Sequence, residues 1–198
     1  MSQSRHSAVP ARPLRTPARV SVGVLVAPDD PAVAGPETSA RWRRLTPLAT
    51  WLRIPLGEAS RAGILRGVAA ALDRSGVTPP QLILLGEGAV ARGMLDLALR
   101  GELPCGGMVA IDATCGTPPF HIVPTATAFR LVVRHDGHDG PRNGLIDALR
   151  AADLDARIIN LDFAGGRGAA AAARATETFV LELVATIGRR ATDGARDR

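Results

Sequence analysis

Leu82 to Gly101 reads LILLGEGAVARGMLDLALRG, and its two halves obey different periodicities. Leu82, Ile83, Leu84 and Leu85 lack the polar alternation of a half-exposed strand, which predicts a parallel strand covered on both faces. Gly86 and Gly88 interrupt the run, and from Ala89 onward Val90, Met94, Leu97 and Ala98 recur at helical spacing, with Arg92, Asp96 and Arg100 on the other faces. Gly101 suits the position just past a helix C-terminus. The stretch therefore predicts strand, tight turn, helix. Such a turn leaves backbone N–H groups at the helix start without partners inside the helix, where an anion or oxyanion is readily held.

Outward from this unit, strands and helices alternate. Val20 to Ala27 is a β-rich run ended by Pro28 and Pro31, and Ala32 to Gly57 reads as mostly loop with a short helical turn around Trp42 to Trp51. Glu58 to Arg74 is helical, with Ile64, Leu65, Val68, Ala71 and Leu72 on one face, and is stopped by Gly76 and Pro79-Pro80. Met108 to Ile111 is a further apolar strand, followed by a Thr- and Pro-rich loop to Ala128. Phe129 to Val133 and Ala156 to Leu161 are strands, and Leu145 to Ala152 and Ala169 to Ile187 are helices. This order predicts an α/β domain of about five mostly parallel strands with helices on both faces.

A chain of 198 residues with 46% hydrophobic content suits one domain. We place it at residues 20–188, between an Arg- and Pro-rich disordered tail at 1–19 and a second tail at 189–198. The isoelectric point near 11.0 suggests nucleic-acid binding only at first sight. All 24 basic residues are arginine and there is no tyrosine, so little can titrate between neutral pH and the arginine pKa. The net +5 is concentrated in the tails, which leaves the body slightly acidic and short of aromatic stacking platforms. No nucleic-acid or membrane partner is expected, nor a cofactor, and the absence of an apolar leader in residues 1–19 points to the cytoplasm. Cys105 and Cys115 read as reduced thiols, and His6, His121, His135 and His138 show no metal-ligand spacing. Because Val20 to Ala27 carries neither charge nor proline, its placement at or near a sheet edge predicts a homodimer, unless the segment from Ala32 to Gly57 covers it.

The central turn also resembles the nucleophile elbow G-x-S-x-G of the α/β-hydrolases, specifically the phospholipase/carboxylesterase branch that includes acyl-protein thioesterases. Aligned without a gap, Gly86 takes the first glycine, Gly88 the serine and Val90 the last glycine. Gly107 to Asp112 followed by Pro118 and Pro119 is similar to the family's next strand and loop, and Ala27 to Pro31 with Trp42 to its A-P-x-A-P turn and later tryptophan. The resemblance implies a reduced α/β-hydrolase fold without the leading strands, and a degenerate triad at Gly88, Asp139 and Arg167. Asp136 competes with Asp139 for the acid, in a loop similar to the family's H-G-x-x-D.

Composition alone tests the triad, since the family requires Ser, then Asp or Glu, then His along the chain. No serine follows Ser75 and no histidine follows His138. Arg167 stands where the family has its histidine and, being always protonated, cannot act as a base. The leading expectation is thus a pseudo-hydrolase serving as a binding or assembly subunit, its small-molecule ligand unspecified. Two alternatives stand beside it. One is a serine-independent hydrolase using Glu87 with Asp112 or Asp139. The other is a nucleotide site, because Gly86 to Ala91 fits G-x-G-x-x-A and Asp112 ends the next strand, although Glu87 would set a carboxylate beside the pyrophosphate.

Overall fold

The computed structural model describes residues 19–27, 35–113, 116–135, 143–162 and 168–193. Six strands, β1 (Val20–Val26), β2 (Ala49–Pro55), β3 (Leu82–Glu87), β4 (Gly107–Ile111), β5 (Ala128–His135) and β6 (Ala156–Asp162), form one parallel sheet in the order β2-β1-β3-β4-β5-β6. Helices α1 (Pro36–Leu45), α2 (Arg61–Ser75), α3 (Gly88–Leu99), α4 (Asn143–Ala151) and α5 (Gly168–Asp193) cover it. The chain enters at β1, steps out to β2 and returns past β1 to β3, so the strand order reverses between β1 and β3. In open α/β sheets such a reversal, at the carboxyl ends of the strands, is where ligands bind.

All six residues of β3 are buried, and successive side chains go to opposite cores. Leu82 and Leu84 pack in the cluster under α2, α3 and α4, while Ile83 and Leu85 pack in the one under α1 and α5 with Val22, Phe179 and Leu183. A strand buried on both faces needs an uninterrupted apolar run, which explains why the quoted stretch reads as it does. Helix α2 is capped by Ser60, whose Oγ accepts from the Gly63 N–H at 3.1 Å, and ends on Gly76 at φ +64°.

Three expectations need correction. Ala49–Pro55 is a strand rather than loop or helix, bringing the count to six; the helix of that segment starts earlier, with Pro36 in its first turn and Glu37 beside it. This new strand is the sheet edge, so β1, hydrogen-bonded to β2 and β3, lies inside and the bare-edge argument for self-association no longer applies to it. Lastly, α5 runs on to Asp193, so residues 189–193 are helical rather than tail. Arg189 and Arg190 are good helix formers, and reading the segment by charge alone obscured that.

At the base of the sheet, Arg130 on β5 is buried and bonded to Glu182 of α5 at 2.7 Å and to Asp155 at 3.0 Å, and Glu182 also meets Arg157 at 3.1 Å. This cluster ties α5 to β5 and β6. Nearby, burial pushes the Cys105 thiol up to about 12, only partly opposed by hydrogen bonds involving Thr127 and the Gly107 backbone. A neutral, largely buried thiol is a poor nucleophile. Cys105 is therefore expected to resist iodoacetamide at pH 8 in the folded protein and to react fully in urea, measured by mass spectrometry; rapid native labelling of Cys105 would contradict its burial. Because the folded thiol holds its proton more tightly, its contribution to stability is intact below the unfolded pKa near 8.5 and is lost as pH rises from there toward 12.

Candidate functional site

The strand-to-helix turn stands at the carboxyl end of β3, beside the reversal in strand order. β3 ends at Glu87 and α3 starts at Gly88 with no loop between them. To turn so sharply Gly88 takes φ +58°, a left-handed conformation open to glycine and costly for a side chain with a Cβ. Gly86 has a different role. A Cβ there would lie 3.0 Å from Met94 Cε and 3.2 Å from Val90 Cγ1, so its missing side chain is what lets α3 lie close to the strand.

Glu87 is the residue before α3 and is 9% exposed, its side chain making no capping bond to the helix. The sheet register sets Glu87 opposite Ile111, so the next residue, Asp112, leaves β4 beside it. Asp112 has φ +50°, one of two described non-glycine residues in that region, and its N–H donates to the Val132 carbonyl at 2.9 Å. Backbone strain of this kind costs of order 1–3 kcal/mol and gathers at ligand sites. The fold thus brings Glu87, Gly88 and Asp112 to adjacent strand ends. Asp136, Asp139 and Arg167 lie outside the described residues, as do His138 and Cys115. Ser21 is in β1 and fully buried, far along the chain from the turn and unsuited to replace a nucleophile.

From Asp112 the chain returns to the base of the sheet without a helix, held against the end of α3 by Arg100 over the Phe120 ring at 3.9 Å and by the Val123 N–H donating to the Leu99 carbonyl at 2.8 Å. A cavity of about 790 Å³ opens at that base, between Pro80, Pro104, Thr127, Ile187 and Arg190. It lies at the amino ends of β3 to β5, the opposite end from Gly88, and so contributes nothing to the turn. Among the described residues no group of His, Cys, Asp and Glu is arranged to hold a metal ion, and no helix is long and apolar enough to cross a membrane.

By sequence the chain matches no protein-family model and no curated protein. By structure it is similar to SOBER1 from Arabidopsis thaliana, in a single-residue variant, with a TM-score of 0.60 and 15% identity over 84% of this chain and 100% of that one. Esterase PE8 is similar with a TM-score of 0.56 and 16% identity, over 82% of this chain and 94% of that one. A third is FphF, a fluorophosphonate-binding serine hydrolase from Staphylococcus aureus, with a TM-score of 0.57 and 8% identity, over 89% of this chain and 86% of that one. Identities this low speak for architecture. The parallel order β2-β1-β3-β4-β5-β6, the abrupt turn at Gly88 and these neighbours establish that the chain has an α/β-hydrolase fold in a reduced, six-stranded form.

Proposed function

We propose that this protein is a catalytically degenerate carboxylesterase homologue, a pseudo-hydrolase that works by binding rather than by turnover. One observation carries the reading. The sharp point of the strand-to-helix turn, where a hydrolase of this fold holds its nucleophile, is Gly88 at φ +58°, with no hydroxyl or thiol to offer. Support comes from the order of residue types along the chain: no serine follows Ser75, and no histidine follows His138 to take a proton after the last strand. The solved neighbours include an esterase and a serine hydrolase, so the architecture is one on which ester chemistry is known to be carried.

The expected result is no labelling by a fluorophosphonate probe and no hydrolysis of p-nitrophenyl acetate or butyrate above the buffer rate. Saturable turnover abolished by the fluorophosphonate would overturn the proposal outright. Turnover resistant to that probe but lost in Glu87→Gln would replace it with a serine-independent hydrolase built on Glu87 and its neighbour Asp112.

A further inference from the structure

Among the described residues, helix cover on one face of the sheet stops halfway along β1. On the side of α1 and α5, Val20 and Val22 are 2% and 0% exposed, whereas Val24 and Val26, on the same face of the same strand, are only partly buried. A strand hydrogen-bonded on both edges in an all-parallel sheet is ordinarily covered on both faces. Here the gap forms a cavity of about 360 Å³ whose walls include Val24, Val26, Trp42 and Trp51, with Arg43 and Arg53 also lining it. None of Glu87, Gly88 or Asp112 lines it, and α3 packs on the other face of the sheet.

Its polar groups are unusually placed for a surface fold. Trp42 stacks on Trp51, ring centroids 6.1 Å apart, and the Trp51 Nε1 donates to Thr46 Oγ1 at 2.9 Å. Trp42 is 2% exposed, yet its Nε1 finds no acceptor. Buried donors are nearly always paired, and this one is left without a partner within the fold. Arg41, in the same helix, is engaged by Glu177 at 2.7 Å. Arg43 and Arg53 are exposed and have no ion-pair partner among the described residues.

We propose that this cavity binds a small aromatic carboxylate, its ring against the indoles and valines and its anionic end held by Arg43 and Arg53. The volume lies within the range of small-molecule sites, and the mix of apolar wall with few polar groups is what such sites use to fix orientation. Two guanidinium groups select an anion, and an aromatic body suits stacked indoles better than an alkyl chain does.

The chain has two tryptophans and both line the cavity, so their indole N–H resonances report on it without labels elsewhere. The full-length protein is titrated with 2-naphthoate and with its neutral analogue 2-naphthalenemethanol, by calorimetry and by ¹H–¹⁵N NMR. We expect saturable binding of the naphthoate with a shifted Trp42 indole signal, and about tenfold weaker binding of the alcohol. Arg43→Gln with Arg53→Gln should lower naphthoate affinity about tenfold, leave the alcohol unchanged and leave the melting temperature unaltered, since both groups are exposed and unpaired. Unmoved indole signals, equal affinity for acid and alcohol, or indifference to the double substitution would each overturn the proposal.

Discussion

Gly88→Ser, alone or with Arg167→His, is expected to leave the protein without competent esterase activity. The first change restores a hydroxyl at the point of the turn, at a cost. At φ +58° a residue with a Cβ is strained by about 1–2 kcal/mol, so the single variant should melt roughly 2–8 °C below wild type. A restored hydroxyl and imidazole are still only part of the machine. The oxyanion of acyl transfer is held by the N–H after the nucleophile, here Ala89, and by a second N–H from a loop after an earlier strand. Because β1 is the neighbour of β3 on the side away from β4, that loop is the one following β1, and it reads Ala27-Pro28-Asp29-Asp30. Of these residues the proline has no N–H to donate, and Asp29 and Asp30 add two negative charges to the loop. Losing a single oxyanion donor costs about 2.7–4 kcal/mol, or ~10²–10³ in rate. Loss of the serine or histidine costs on the order of 10⁶. The double substitution addresses the second deficit and leaves the first. Rates with p-nitrophenyl acetate and butyrate for wild type, both single variants and the double variant settle the point. Robust turnover by the double variant would mean that the loop supplies an oxyanion donor despite its sequence.

The order of elements on both sides of this turn was legible because buried parallel strands announce themselves. Leu82 to Leu85 and Met108 to Ile111 are apolar without interruption since both their faces are covered, and the helix of Val90, Met94, Leu97 and Ala98 presents one stripe. The edge strand β2 hid itself for the opposite reason. Covered less completely, Ala49–Pro55 mixes Thr50 and Arg53 with Trp51, Leu52 and Ile54 and shows no clean period, although its β-branched and aromatic content was a signal. Trp42 and Trp51 belong to a helix and a strand that meet only in the tertiary structure. At the turn, Gly88 could be located from spacing alone, while the adjacency of Glu87 and Asp112 depends on strand register, which no local pattern carries. The cavity beside Trp42 was equally invisible, because its lining is gathered from β1, α1 and β2.

Gly106→Ala should be among the most damaging single-methyl changes to stability, although it touches nothing near the turn at Gly88. A Cβ at residue 106 would stand 2.0 Å from the Pro80 carbonyl oxygen, 2.8 Å from its carbon and 3.1 Å from Ile187 Cδ1. A flexible side chain could swing aside from such a contact, but backbone can move only with its neighbours. Here both partners are held. The Gly106 N–H donates to the Leu82 carbonyl at 2.9 Å and its own carbonyl accepts from Ala128 at 3.2 Å, which locks the residue between β3 and β5. Pro80 belongs to a 3₁₀ turn that feeds directly into Leu82. Relief must therefore part the start of β4 from that turn or break a sheet hydrogen bond. Overpacking typically costs 1–3 kcal/mol, and a clash against fixed backbone belongs at or above the top of that range. We expect a loss of at least about 3 kcal/mol and a fall in melting temperature of roughly 6–12 °C. Gly57→Ala is the matched control: a Cβ there has nothing within 4 Å, so its effect should stay within about 0.5 kcal/mol. Thermal and urea unfolding of the two variants beside wild type gives the comparison. If Gly106→Ala melted as Gly57→Ala does, the close approach of Pro80 to the start of β4 would not exist in solution. The expected gap instead places a strict steric demand at the base of the sheet, on a residue with no part in any chemistry at the carboxyl ends of the strands.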